Sequence, residues 1–408
     1  MIRRLFISVS LIVALLGGAG SAFADAKLLG ALESSEGITA GPMKIHLGAQ
    51  LGELFDSNVY SAPSDVKDDF ITIVSPGVVA TIKTQRNRLN LGFSSDMHSY
   101  NEYDDENYTA TTARGSYVLT SLGGFSFSLS DNYHKTTAPR PEQSTPIRTK
   151  NSTNTANIDV EYEFPAKKFI VKASYMQFDL NYDEDVNSDM ERRNKDISFG
   201  LYYRILPKTS ILLEYVMSPN EYFSGTDTDA DSKNHTTNVG LQWESSAKMT
   251  GDLKVGFQRR KYDNSTYTDQ EDEMLSIDAN LRYKITDSTK IKALLTRTMN
   301  ETGYGGSTTL SESVHYKANT VGFGVSSRFM DKIGFDIDYA LEVDYYNRID
   351  PTKSKRKDDI HLFNISASYE FAKRFSADIN YNYRNLDSDD PNNDEIHTLS
   401  TLNLKFMM

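Results

Sequence analysis

The sequence predicts an all-β chain, a transmembrane antiparallel up-and-down β-barrel of about eighteen strands with short periplasmic turns and long extracellular loops. Three observations predict it. Apolar residues alternate with polar ones in short stretches from about residue 43 to the last residue. Tight turns fall at Lys83–Gln85, Thr120–Gly123, Ala166–Lys167, Leu206–Lys208, Ala247–Thr250, Thr286–Thr289, Met330–Asp331 and Ala372–Arg374. They recur roughly every 40 residues, which is what two strands and two connections occupy. Between them lie long connections, so one end of the structure carries turns and the other carries loops. A soluble sandwich has no reason for that asymmetry; a barrel crossing an outer membrane does.

The elements follow in order. Met1-Ile2-Arg3-Arg4, the apolar run Leu5 to Leu16 and the small residues ending Ala22-Phe23-Ala24 read as a secretory signal peptide, cut after Ala24 on the general secretory route. The apolar run is too short for a spanning helix, and no Cys follows it for lipidation. Residues 25–42 form a polar periplasmic leader, and residues 43–408 form the barrel. Strands are expected near 43–54, 69–82, 86–97, 107–119, 124–135, 154–165, 168–182, 193–205, 209–222, 234–246, 251–263, 273–285, 289–299, 313–328, 332–347, 358–371, 375–385 and 396–408. Sixteen strands is the alternative, should one hairpin be misread. The alternation is cleanest where Ile333, Phe335, Ile337, Tyr339, Leu341, Val343 and Tyr345 oppose Asp336, Asp338, Glu342 and Asp344. It breaks phase at Tyr175-Met176 and near Thr320-Val321, which reads as bulges or bends. The last strand ends Leu402-Asn403-Leu404-Lys405-Phe406, an aromatic-tipped pattern similar to the C-terminal signal of outer-membrane barrels, although Met407 and Met408 follow it.

Composition narrows the function classes. Signal removal takes Arg3 and Arg4 and no acid, moving the formal charge from −12 to −14 and arguing against nucleic-acid binding. There is no Cys, and the 24 Tyr and 20 Phe suit interfacial aromatic girdles. The tight turns are often basic, as at Lys167-Lys168, and the long loops mostly acidic, as at Asp104-Asp105-Glu106. One outer tip, Lys353-Ser354-Lys355-Arg356-Lys357, is basic and suits either an anionic glycan or plain solvation. The seven His (His46, His98, His134, His235, His315, His361 and His397) show no metal-ligand spacing, and no nucleophile elbow or phosphate loop appears. Asp227-Thr228-Asp229-Ala230-Asp231 opens like a calcium loop, but Ser232 and Asn238 occupy the positions that need Gly and Glu. No cofactor or metal is expected.

The functional surface is therefore the lumen. The acids Asp159, Glu161, Glu163, Asp336, Asp338, Glu342 and Asp378 and the bases Lys254, Arg260, Arg282 and Arg384 fall at lumen-facing positions of the alternation. Segregated, they would set a transverse field; paired, they would merely keep the lumen polar. The long connection Thr136 to Ser152, with Pro139, Pro141 and Pro146, follows the fifth strand and is a candidate inward constriction or an outward mobile loop.

Two stretches carry a resemblance. Leu54-Phe55-Asp56-Ser57-Asn58-Val59-Tyr60, followed by Asp69-Phe70-Ile71-Thr72-Ile73-Val74-Ser75-Pro76-Gly77, resembles the first hairpin of the β-barrel porin 2 family of outer-membrane proteins. Asp56 and Asn58 suit turn positions. The resemblance implies a Gram-negative outer-membrane barrel associated with exopolysaccharide or capsule production. Its expected partners are membrane lipid and lipopolysaccharide, a polysaccharide chain and periplasmic export machinery. The expected role is a passive polar conduit or docking element in export. The rivals are a general or substrate-selective diffusion porin and a rim-active barrel enzyme, which would need a Ser/His or Asp/His site.

Overall fold

The computed structural model describes residues 28–139, 148–183, 190–223, 230–244, 248–263, 271–301, 315–347, 356–390 and 393–408. The expected signal peptide at 1–24, the first three residues of the expected leader, most of the calcium-like run, Lys353–Lys355 and the Pro141 and Pro146 positions lie outside the described residues. After a helical turn at 28–34 comes the short strand β1 (Ile38–Ala40). Wall strands then run β2 (Met43–Asp56), β3 (Asp69–Lys83), β4 (Asn87–Tyr100), β5 (Tyr108–Thr120), β6 (Phe125–Pro139) and β7 (Arg148–Glu163). They continue as β8 (Phe169–Tyr182), β9 (Arg192–Leu206), β10 (Thr209–Tyr222), β11 (Ser232–Trp243), β12 (Met249–Tyr262) and β13 (Asp272–Lys284). The last six are β14 (Thr289–Glu301), β15 (His315–Phe329), β16 (Ile333–Tyr346), β17 (Lys357–Ala372), β18 (Phe375–Ser388) and β19 (Glu395–Met407).

Every wall strand pairs antiparallel with its neighbours in the chain, and β19 returns to pair with β2 from Leu399↔Asp56 to Met407↔Gly48. The ring is closed at eighteen strands, so sixteen is excluded. Among the described residues β1 is the one extra strand, outside the ring and paired to β2 alone. Strands of 12 to 16 residues, rising ~3.4 Å per residue and tilted ~40°, cover the ~30 Å hydrocarbon layer and a little beyond.

Hairpin chemistry explains the short-turn end. At Gly124, φ is +84°, and an added Cβ would lie 2.2 Å from the Glu163 carbonyl oxygen, so only glycine fits between β5 and β6. Met330 and Asp331 both take left-handed φ, of 50° and 57°, and the Lys332 amide donates back to Phe329 O at 3.2 Å. Two such residues in succession match the right-handed strand twist.

The expected phase breaks are not bulges. Register runs one residue to one through Ile158↔Tyr175, Asn157↔Met176, Tyr175↔Ile197 and Met176↔Asp196, and equally through Thr320 and Val321. What changes is the medium. On β8 the exposed phase passes from Phe169 and Val171 to Gln177 and Asp179, and on β15 from Phe323 and Val321 to Asn319 and Lys317. The wall has risen out of the apolar belt, while its backbone stays regular.

The exposed phase is apolar through the middle of the wall, with Leu51, Phe93, Phe199, Val239, Phe323, Ile379 and Leu402 all exposed. Near the short turns it becomes aromatic. Tyr162 meets Phe164, Phe169 meets Tyr203, and Phe371, Phe375 and Phe406 form a chain with centroids 6.1 and 5.2 Å apart. Toward the long loops, Tyr215 and Tyr339 hydrogen-bond His235 and His361 at the same diagonal register. Apolar belt, aromatic rims and closed ladder are what hydrocarbon demands of a spanning sheet.

Candidate functional site

All eleven charged residues singled out in the sequence sit on the phase opposite the exposed apolar side chains. On β16, for example, Phe335, Ile337 and Tyr339 are exposed while Asp336, Asp338 and Glu342 are not. Most are neutralised by a partner on the first or second neighbouring strand. Glu161 meets Lys172 (3.2 Å), Glu163 meets Arg204 (2.8 Å) and Lys254 meets Glu214 (3.0 Å). Asp338 meets Lys292 (2.7 Å), Asp378 meets Lys405 (2.5 Å) and Arg260 meets Glu301 (2.5 Å). Arg384 pairs with Glu395, and Asp159 accepts from the Ser128 hydroxyl at 3.0 Å. Glu342 is buried and accepts from Thr320 Oγ1 at 2.8 Å. Of the two sequence readings, local pairing is the one the wall adopts. Ion pairing cancels the fields of Glu161, Glu163, Asp338 and Asp378 within a strand or two, whereas Asp159 and Glu342 are held by hydroxyls.

Between these pairs runs a ladder of amides and hydroxyls. Asn364 donates to Asn382, Ser174 and Ser198 share a hydrogen bond, and Asn380 and Asn403 both donate to Asp378 at 2.8 Å. Asn157 and Ser130 (3.4 Å) and Ser276 and Asn238 (3.1 Å) repeat the pattern.

The long-loop mouth is not open in the β2–β7 sector. The family-like segment after β2 turns inward: Val59 is fully buried among the inner-phase residues Leu54, Ile71, Ile73, Tyr100 and Leu399. Asn58 holds that turn. Its backbone amide donates to Asp56 Oδ1 (2.9 Å), its Nδ2 to the Ala62 carbonyl (2.9 Å), and its Oδ1 accepts from the Ala62 amide (2.8 Å). The β6–β7 hairpin leans over it. β6 pairs with β5 only as far as Thr111↔Lys135, yet with β7 up to Pro139↔Arg148.

At the end of that hairpin the Arg148 side chain, 4% exposed, acts as a cross-brace. Nη1 donates to the Val59 carbonyl (3.1 Å) and Nη2 to the Thr137 carbonyl (2.9 Å). Nε lies 3.6 Å from Glu106, and the guanidinium stands 5.2 and 5.4 Å from the Tyr100 and Tyr108 ring centres. Tyr60 Oη donates to the same Glu106 carboxylate at 3.0 Å. Burial and that carboxylate push the Tyr60 hydroxyl up to about 12. The described flanks of the Thr136–Ser152 connection therefore turn inward; residues 140–147 lie outside the described residues.

A second hairpin leans in across the ring. β14 leaves β13 after Ile277↔Arg297 but stays with β15 to Glu301↔His315. The Met299 amide donates past β13 to Gln258 on β12 (3.1 Å), and His315 lies between Tyr262 Oη (2.6 Å) and Asp272 Oδ2 (3.2 Å). The sequence carried no signal for this bend beyond the clustering of Arg260, Glu301 and His315 near strand ends.

At the short-turn mouth the leader does not hang free. The helical turn at 28–34 buries Leu28, Leu29 and Leu32 against inner-phase Val79. Glu33 bonds Arg114 at 2.7 Å.

Each imidazole has a side-chain neighbour on the wall or its mouths. His397, the one closest to a carboxylate pair, has Nδ1 3.2 Å from Glu395 and Nε2 2.7 Å from Asp56, so neither nitrogen is available to deprotonate a hydroxyl. His46, His134, His235, His315 and His361 each hydrogen-bond a neighbouring side chain, and His98 stacks on Tyr108. Among the described residues no group of His, Asp and Glu is arranged to hold a metal ion.

The family described as "Putative beta-barrel porin 2" matches residues 34–407, which is essentially the whole ring. The chain belongs to this family. It is a porin-like outer-membrane barrel, of a family of porins and not of enzymes, and its wall contacts membrane lipid and lipopolysaccharide. No curated protein matches it. Among solved structures it is similar to the outer-membrane protein OpdK of Pseudomonas aeruginosa (8% identity, 90% of this chain and 98% of that one, TM-score 0.47). OccAB3 of Acinetobacter baumannii is alike at 10% identity over 90% and 100%, TM-score 0.47. The alcaligin receptor FauA of Bordetella pertussis is alike at 12% over 89% and 76%, TM-score 0.42.

Proposed function

We propose that the barrel takes part in exopolysaccharide export, as a passive polar conduit through the outer membrane. In this reading Asp159, Glu161, Glu163, Asp336, Asp338, Glu342, Asp378, Lys254, Arg260, Arg282 and Arg384 line the lumen, residues 1–24 are the export signal, and the short-turn end meets periplasmic export machinery. The observation that carries the reading is the inner face itself: paired charges interleaved with Asn, Ser and Thr. A sugar chain exchanges hydrogen bonds with such a surface at many weak, equivalent points. Most of its charges are already engaged by neighbours on the wall, which weakens any one hold on the chain.

The test is single-channel conductance of the purified barrel in a planar bilayer, with a long soluble polysaccharide added to either side. Transient, concentration-dependent block supports the conduit. A large conductance indifferent to polysaccharide refutes it and assigns the barrel to small-solute diffusion. No conductance under any condition also refutes a passive conduit and leaves a docking role.

A further inference from the structure

We propose that the helical turn at 28–34 is a seated stopper, an autoinhibitory element that narrows the lumen at its short-turn end and must be unseated for full passage. Leu28, Leu29 and Leu32 are 0 to 1% exposed, and they are buried on the wall itself. The wall is shaped to take them. Gly48 and Gly77 face each other across β2 and β3. A Cβ on Gly77 would lie 3.0 Å from Leu28 Cδ2 and 3.3 Å from Leu32 Cδ1, and its nearest neighbours are leucines of the helix alone. A Cβ on Gly48 would lie 2.6 Å from Leu32 Cδ2, but the Phe406 carbonyl oxygen at 2.5 Å already excludes one there, so Gly77 carries the argument. At Gly77 it is the helix, not the strand, that an added side chain would meet first.

The polar side of the turn is matched as well. Glu33 bonds Arg114 at 2.7 Å and approaches Arg88 at 3.9 Å, two bases on adjacent strands of the inner face. Gly37, at φ +66°, then reverses the chain out of the lumen into β1. The docking is built from three leucines, partly exposed ion pairs at Glu33, and the Ser35–His46 (3.0 Å) and Glu36–Lys373 (2.6 Å) contacts that follow the turn, a contact small enough to release.

Eighteen strands ~4.8 Å apart and tilted ~40° trace a backbone circle about 36 Å across, leaving a lumen of about 20 Å inside the side chains. A helix ~10–12 Å wide fills about a third of that section. Its departure should raise conductance by ~1.5-fold or more at the narrowed end.

The experiment uses the full mature chain in planar bilayers. Leu28→Glu/Leu32→Glu places carboxylates in the glycine saddle, and its single-channel conductance is expected to rise ~1.5-fold or more over the parent. Glu33→Arg, which repels Arg88 and Arg114 without touching the apolar seat, should raise it in the same direction, and adding Arg114→Glu should return it. The chain has no Cys, so Glu33→Cys/Arg114→Cys joined by a short thiol cross-linker pins the turn and should hold conductance at or below the parent value. If the double glutamate variant does not insert, the Glu33→Arg set decides alone. Parental conductance in folded, heat-modifiable Glu33→Arg barrels, or a raised conductance in the cross-linked barrel, would overturn the proposal. Polysaccharide block is a separate readout: its absence refutes the conduit while leaving the conductance steps of the stopper intact.

Discussion

Replacing Arg148 by Ala should open the β2–β7 sector of the mouth without unfolding the barrel. The side chain donates to the Val59 and Thr137 carbonyls and rests on two tyrosine rings. Two charge-assisted hydrogen bonds at ~1.5–3 kcal/mol each and a cation–π contact at ~0.5–2 kcal/mol set the gross loss. Water entering where the guanidinium stood would re-solvate part of what is lost, which reduces the net local cost to ~2–4 kcal/mol. At 1.4 kcal/mol per decade that is a roughly 30- to 1000-fold loss of protection for the amides of the first loop. Hydrogen exchange reads it directly at Val59, whose amide donates to Lys67 O (2.9 Å), and at Ala62, whose amide donates to Asn58 Oδ1 (2.8 Å). Amides in the middle of β12 serve as the internal control. Protection at Val59 and Ala62 within about twofold of the parent would show that Arg148 does not hold the loop, and the cross-brace argument would fall.

Three further outcomes are expected. Gly124→Ala should destabilise the barrel by ~1–3 kcal/mol in urea titrations in lipid, because φ is +84° and the new Cβ meets a backbone carbonyl. Lys405→Met should cost ~3–5 kcal/mol by leaving the Asp378 carboxylate buried against amides alone, and Lys405→Met/Asp378→Asn should recover much of it. The third concerns alkaline pH. Tyr60 is raised from 10.0 to about 12 in the folded loop, so its contribution is intact below pH 10 and is lost as pH climbs toward 12. Exchange at Val59, corrected for its intrinsic base-catalysed rate, should accelerate across that window in the parent and not in Tyr60→Phe.

The strands were legible because a wall with lipid on one side and polar lumen on the other leaves no freedom at alternate positions. The turns were legible because left-handed positions and strand spacing mark them. Direction was not. Nothing in the alternation says whether a loop turns over the lumen or away from it, and the Pro-containing stretch before Arg148 reads the same either way. Asn58 read as a turn residue and proved to be the buried pin of an inward loop. The leader showed no period because a seven-residue turn buries a single patch; the spacing of Leu28, Leu29 and Leu32, one and four residues apart, was the available signal. The supposed bulges mistook a change of surroundings for a change of backbone.

The short β1 bears on how the cylinder is completed. Joining β19 to β2 brings together Gln50 and Asn403, 353 residues apart, an entropic cost of roughly 5 kcal/mol for a flexible chain. That union is the slowest the topology contains, and until it happens the free side of β2 offers unpaired amides to any passing strand. β1 reaches that side through a two-residue reversal, pairing Ile38↔Ile45 and Ala40↔Met43. It thereby splints the segment of β2 that lies beyond the last residues of β19. A hairpin that forms within microseconds thus marks where the distant partner must stop, and the register of the final join is set before the partner arrives.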